Sequence, residues 1–208
     1  MRATFAEAVL AADRELSVEV ARSRGQLAEA AGLTGWVAHG AEDGVRHVLV
    51  RQCKTGRAVA TAYVTPGMAA PHAVRVTGQL SVLAVSPDRS GLSPASVALL
   101  RLSLFRGVVG IAGESGLTHL RAVFPPALLR LLAATGLHFQ PAGPIMDLPG
   151  AKQPAVAAIG PMLDRLRCEQ PAAWRYVTDG GRLWPGPGRY RPWKAGLRFS
   201  MNAVRPSV

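Results

Sequence analysis

Acidic side chains are scarce in this sequence: 13 Asp and Glu stand against 24 Lys and Arg, so the 208 residues carry a formal charge of +11. A partner or substrate of the opposite sign is expected. Cysteine is scarcer still. Cys53 and Cys168 alone exclude a disulfide framework and a metal knuckle, and they suit a reducing cytoplasm. Long apolar runs are also missing: the longest charge-free stretch, residues 58–74, contains Pro66, Pro71 and His72, where a membrane helix needs about 20 apolar residues. The start of the chain places Glu7, Asp13 and Glu15 where an export signal needs an apolar segment, so an unexported chain is expected. His39, His47, His72, His119 and His138 never pair at metal-ligand spacing, and no metal is expected.

What is present is 49% apolar residues, enough for one globular domain over residues 1–208 with an irregular basic segment at about 185–208. Thr4 and Glu7 have capping-box spacing, and Phe5, Val9, Leu16 and Val20 recur at near-helical intervals, which predicts a helix from about Phe5 into the twenties. Ser23-Arg24-Gly25 breaks it, and a second piece runs from Leu27 to Leu33. Arg46 to Cys53 and Arg57 to Val64 read as a hairpin around Lys54-Thr55-Gly56. Ala73 to Val85 reads as a third strand in which Gly78 marks a bulge or a close approach. Ser93 followed by Pro94 opens a strong helix whose apolar positions Val97, Leu100, Leu104, Val108 and Ile111 step by three or four, closing at Gly116. Thr118 to Phe124 is a strand, Pro125 to Thr135 a helix and Leu137 to Gln140 a strand, so the order is β-α-β-α-β. Residues 156–167 read as helical, and Asp179-Gly180-Gly181 as a turn.

The segment that carries chemistry runs from Gly78 to Ser93. A strand delivers the chain to the loop Arg89-Ser90-Gly91-Leu92-Ser93, and the loop opens directly into a helix. Backbone N–H groups and the positive end of the helix dipole then converge on one point, an arrangement suited to a phosphate. An ordinary βα turn has the same outline, and the glycine pattern is not that of a nucleotide fingerprint.

At this segment the sequence resembles the acyl-homoserine-lactone (autoinducer) synthases of quorum sensing, members of the GNAT superfamily of N-acyltransferases. The likeness spans residues 46–143 and rests on element order, with Gly116-Leu117-Thr118-His119-Leu120 the stretch most like the family. The resemblance implies an α/β (α+β) fold with a V-splayed, mixed, mainly antiparallel sheet flanked by helices. It also implies an acyl thioester in the gap between two strands, its phosphate on Arg89, Ser90, Gly91, Leu92 and Ser93. An acidic acyl carrier protein or coenzyme A would bring the acyl group as co-substrate, with no tightly bound cofactor. A small amine would receive it, S-adenosylmethionine if the acceptor follows the family.

The family's fourth strand reads approximately Glu-Leu-Ser-Arg-Phe-Ala-Val, and its glutamate and arginine help form the reaction centre; here those positions are Gln79 and Val82. Gln79 cannot take a proton from an amine as a carboxylate does, while Ser81 keeps the family's identity. Gln79 and Ser81 are thus expected beside the reacting carbonyl, and Leu83, Val85, Phe105, Val123 and Phe124 around the acyl chain. Arg24, Trp36, Glu42 and Asp43 are similar in type to the family's amine-substrate pocket. Two other readings stay open at this point: a protein that binds thioesters without turning them over, and a nucleic-acid-binding module. The latter rests on Trp184, Tyr190, Trp193 and Phe199 interleaved with Arg182, Arg189, Arg191, Lys194 and Arg198.

Overall fold

The computed structural model describes Val9 and residues 12–34, 44–67 and 75–184. Its centre is a sheet of eight strands: β1 (Leu16–Val20), β2 (Arg46–Gln52), β3 (Ala58–Pro66), β4 (Thr77–Val85), β5 (His119–Phe124), β6 (Gln140–Pro141), β7 (Met146–Leu148) and β8 (Gly150–Ala158). Across the sheet the order is β1-β2-β3-β4-β5-β8-β6, with β7 paired to β8. Every pair is antiparallel except β4 with β5. Among the described residues, besides the helical residues 12–15, five helices flank it: α1 (Arg24–Thr34), α2 (Pro94–Ser115), α3 (Pro126–Ala134), α4 (Ile159–Glu169) and α5 (Pro171–Val177). The expected mixed, mainly antiparallel sheet flanked by helices is what the chain forms.

Alternation decides which strand residues go where. Val48 and Val50 of β2, Ala62 and Val64 of β3, Leu80 of β4, and Leu120, Ala122 and Phe124 of β5 lie in the larger core with α2. Leu49 and Tyr63 face the other way, into a smaller cluster with Ala30 of α1. The helix α2 is the spine of the larger core: Leu99, Leu100, Leu102, Leu104, Phe105, Val108, Val109 and Ile111 are all buried. It is long and apolar enough to cross a bilayer, yet 61% of that stretch is buried in the protein's own interior, so its apolarity serves the core. Its start and end are those expected, with Ser93 accepting from the Ser96 N–H and Gly116 in the left-handed region at φ 65°.

On the opposite face α1 is tied to the sheet through Arg51, whose guanidinium reaches Glu19, Glu29 at 2.7 Å and the Gly56 carbonyl. Beneath α1, His47 is 8% exposed and its ring lies 4.3 Å from that of Tyr63. Among the described residues its Nδ1 has no hydrogen-bond partner, and burial pushes its pKa below the ordinary 6.5. Because the folded pKa is the lower one, the unfolded chain takes up this proton first as pH falls. Stability is therefore expected to decline from about pH 6.5 downward until the folded group titrates as well. His47→Phe keeps an aromatic against Tyr63 and removes the proton, so its melting temperature should drop less between pH 7.5 and pH 5.5. An identical drop in both proteins would place the sensitivity elsewhere.

Four expectations about elements need correction. Residues 12–15 are helical, but the chain then enters β1 instead of continuing a helix into the twenties. Leu16, Val18 and Val20 also alternate with Ser17 and Glu19, and pairing with Val48–Gln52 rewards that period of two over the helical one. The third strand begins at Thr77; residues 73 and 74 lie outside the described part. Residues 150–158 form β8, and helix α4 starts only at Ile159, because nine residues pair along β5 and β7. Residues 137–139 are irregular, leaving β6 two residues long.

Candidate functional site

The parallel ladder between β4 and β5 is short: Thr77 pairs with His119, Gly78 with Leu120, Gln79 with Arg121 and Leu80 with Ala122, and there it ends. From Ser81 to Val85, β4 stays paired with β3 alone, while Val123 and Phe124 pair with β8. The two strands diverge like the arms of a V. The edge of β4 that faces the gap carries backbone N–H and C=O groups with no strand of the described residues beside them.

A bulge sits at the point of divergence. Tyr63 pairs with Val82 and Val64 with Leu80, so Ser81 is an extra residue opposite one peptide of β3. This re-aims the strand: Leu80 and Leu83 both turn to the larger core, Val82 packs with the smaller cluster, and Ser81 is exposed. The bulge thus falls at Ser81. Gly78 instead marks the close approach, since a Cβ there would lie 2.6 Å from Leu117 Cδ1.

Of the residues expected around the acyl chain, Leu83 and Val85 are half-buried on β4 beyond the divergence and turn to the larger core, whereas Val123 is half-buried on the face of β5 opposite Ala122 and Phe124. Phe105 is completely buried and Phe124 nearly so. Both pack on Phe139, with ring centroids 6.0 and 6.5 Å apart in edge-on geometry. Phe139 went unnoticed in the sequence because it lies in an irregular stretch with no periodicity to mark it.

The loop after β4 departs from expectation in one respect. Its N–H groups are not all unpaired: Ser90 N–H donates to Asp88 Oδ1 at 3.0 Å, Leu92 N–H to the Arg89 carbonyl, and Ser93 N–H to Glu15 Oε2 at 2.9 Å. The Ser93 backbone bond, with the Ser96 and Ser93 hydroxyls, holds the Glu15 carboxyl below its ordinary range. Arg57, followed by the Ser90 N–H, holds Asp88 down at about 2. The loop therefore already gathers carboxylates, and the N–H groups of Gly91 and Ala95 are left without a partner among the described residues. Beside it lies an open cavity of about 330 Å³ lined by Gln52, Lys54, Thr55, Arg57, Ser90 and Gly91. Lys54 and Arg57 belong to the β2–β3 turn, and only the folded sheet brings that turn to the loop.

The proposed amine pocket is largely beyond view: Trp36, Glu42 and Asp43 lie outside the described residues, as do residues 185–208. Arg24 is exposed at the first position of α1 and has no ion pair with a described residue. Trp184 is 6% exposed within the larger core, and Arg182 pairs with Asp179. The start of the aromatic and cationic run is thus engaged in the fold itself. Among the described residues no group of His, Cys, Asp and Glu could hold a metal ion.

No family model matches the chain, and no curated protein matches it. Solved structures do. FeeM, an N-acyl amino acid synthase from uncultured soil microbes, superposes with a TM-score of 0.55 at 13% identity, over 74% of this chain and 96% of FeeM. The AHL synthase LasI gives 0.53 at 13% identity, over 69% and 89%. A protein of Desulfovibrio desulfuricans assigned to the GNAT family of acetyltransferases gives 0.51 at 14%, over 69% and 99%. The chain has their fold. At these identities the likeness concerns architecture, and function must be argued from this chain's own residues.

Proposed function

We propose that this protein is an N-acyltransferase that moves an acyl group from an acyl thioester, borne by acyl carrier protein or coenzyme A, to a small amine. The observation that carries this reading is the divergence of β4 from β5 after Leu80 and Ala122, directly upstream of the loop at Gly91. A pantetheine arm is itself a chain of amides, and laid in the gap it would complete the open edge of β4 as a missing strand would. Its phosphate would reach the Gly91 and Ala95 N–H groups with Arg89 and Lys54 nearby. The acyl chain would run toward Leu83, Val85 and the Phe105–Phe139–Phe124 stack.

The thioester carbonyl would then lie at Ser81 and Gln79, where the bulged backbone of β4 supplies donors for the oxygen that becomes negative in the transition state. The amine nitrogen attacks the carbonyl carbon, a C–N bond forms, and the C–S bond breaks to release the thiol. Gln79 can orient the amine by hydrogen bonding but cannot remove its proton. An acyl carrier protein is acidic, and a chain of charge +11 would draw it in by long-range steering that fades with salt. Both cysteines are free, as suits a cytoplasmic reaction.

The test is mass spectrometry of cells producing the wild type or Gly91→Trp. An acylated amine present only with the wild type is the expected result. An acyl-homoserine lactone would identify S-adenosylmethionine as acceptor. Identical extracts, together with a purified protein that releases no thiol from an acyl-thioester panel, would refute catalysis.

A further inference from the structure

One carboxylate of the chain itself stands at the helix end where the donor's phosphate is expected. Glu15, the last helical residue before β1, accepts the Ser93 N–H at 2.9 Å, and the Ser93 and Ser96 hydroxyls also bond to it. Ser93 caps α2, so this carboxylate sits at the positive end of the helix dipole. In a chain with 24 Lys and Arg against 13 Asp and Glu, half-buried Glu15 has no ion pair with a described residue. Its neighbours differ: Asp13 pairs with Arg106, and Glu19 with Arg51. The counter-charge of Glu15 is the helix end, the same positive field that would hold a phosphate.

The backbone of Glu15 is pinned while its side chain is not. Its C=O accepts the Cys53 N–H at 2.8 Å, which extends the β1–β2 ladder, and Asp13 ties the same segment to the middle of α2. The carboxylate can therefore swing into water without moving the chain. Beside the loop, the open cavity of about 330 Å³ borders Ser90 and Gly91, and Lys54 in its wall is exposed with no ion pair among the described residues. An anion in this cavity has Lys54 for a partner and, two residues beyond Gly91, a helix end already taken by Glu15.

We propose that Glu15 is an internal competitor for the donor phosphate and thereby a specificity residue: a phosphate carried on an acyl-pantetheine arm displaces it, and a phosphate without the arm does not. This rests on the transferase reading and concerns how its donor site selects. Two anions at one helix end repel, so a bound phosphate must expel the carboxylate from the Ser93 N–H or share the dipole with it. Either way the phosphate alone binds weakly. An acyl-pantetheine arm adds its amides along β4 and its acyl chain, and these contacts offset the loss; pyrophosphate has neither. Phosphate compounds in general are thus kept from a loop whose backbone N–H groups would otherwise hold any of them.

Calorimetric titration of the full chain at one salt concentration tests this with inorganic pyrophosphate, octanoyl-pantetheine and octanoyl-coenzyme A. Glu15→Gln keeps an acceptor for the Ser93 N–H and removes only the charge, and a thermal melt checks that it folds. It should bind pyrophosphate and octanoyl-coenzyme A at least ten-fold more tightly than wild type, with octanoyl-pantetheine unchanged within two-fold. Asp147→Asn removes the same charge from an exposed position on β7, across the sheet from β1, and should leave all three affinities within two-fold. An equal gain in Asp147→Asn would trace the effect to net charge and overturn the proposal. So would a Glu15→Gln protein whose pyrophosphate affinity is unchanged or lower, since Glu15 then only braces the loop, or one that gains equally for octanoyl-pantetheine. In wild type, the Ser93 amide resonance should shift when octanoyl-coenzyme A binds and stay in place with octanoyl-pantetheine; an amide unmoved by octanoyl-coenzyme A refutes displacement. Failure of wild type to bind octanoyl-pantetheine counts against the transferase reading, while the pyrophosphate comparison still judges Glu15.

Discussion

Gly91→Trp is expected to weaken binding of octanoyl-coenzyme A about a hundred-fold, a loss of roughly 2.7 kcal/mol, while the protein stays folded. Gly91 has φ +78°, where a side chain costs about 1 kcal/mol or more. A Cβ there would also stand 2.7 Å from Gln52 Nε2. Gln52 cannot step aside freely: it is 2% exposed, donates to the Gly91 carbonyl at 2.8 Å and accepts from Thr55 at 2.9 Å. The loop must therefore give way, and the indole would occupy the cavity beside Lys54 and Arg57. The damage stays local, because Gly91 itself is exposed and outside both cores. Calorimetric titration with octanoyl-coenzyme A and with octanoyl-pantetheine, which lacks the phosphate, checks the assignment. The expected loss is confined to the phosphate-bearing donor. Unchanged affinity for octanoyl-coenzyme A would remove the loop from the site.

The largest effect on stability is expected at Gly107, where α2 crosses the sheet. A Cβ there would fall 2.3 and 2.9 Å from the two methyl carbons of Val48 and 3.1 Å from Val18 Cγ1. Val48 is fully buried in the middle of β2, paired on both sides with β1 and β3, so it has no room to retreat. Gly107→Val should cost about 3 kcal/mol and lower the melting temperature by roughly 10 °C. Gly110, one turn on, gives the opposite sign. Its Cβ would meet Leu183 at ordinary distances of 3.8 and 4.0 Å. Gly110→Ala should therefore stabilise by up to about 1 kcal/mol through helix propensity alone. Thermal melts of the two variants decide the matter, and equal shifts would contradict this packing of α2 on β1 and β2.

The regions legible in the sequence share a property. The β2–β3 hairpin, helix α2 with Ser93 and Gly116 at its ends, β5 and α3 each carry their signal within a few residues of themselves. Side-chain period, a capping hydroxyl and a glycine able to take positive φ all act locally, so they could be read without knowing what lies across the fold. The same holds for the loop at Gly91, recognisable because strand, turn and helix cap follow one another directly. Of the residues expected around the acyl chain, Leu83, Val85, Phe105 and Phe124 share the larger core's side of the sheet, while Val123 alternates to the other face of β5.

Where two periods competed, only pairing could choose between them. Leu16 to Val20 fits a helix by one spacing and a strand by another, and β2 decided for the strand; β5 and β7 did the same for residues 150–158. The site's decisive features are of this non-local kind. Glu15 lies 78 residues from Ser93, whose N–H it accepts, and Arg57 lies 31 residues from the Asp88 it holds ionised. Gln79 and Arg121 meet only because β4 and β5 run parallel with α2 between them in the chain. The sequence by itself determined the order of elements from β2 to α3, the surplus of positive charge and the absence of a carboxylate at position 79. The tertiary structure decided where β4 and β5 part and what faces Gln79 there. Hydrogen bonds between strands depend on register across the sheet, and no local propensity encodes that register.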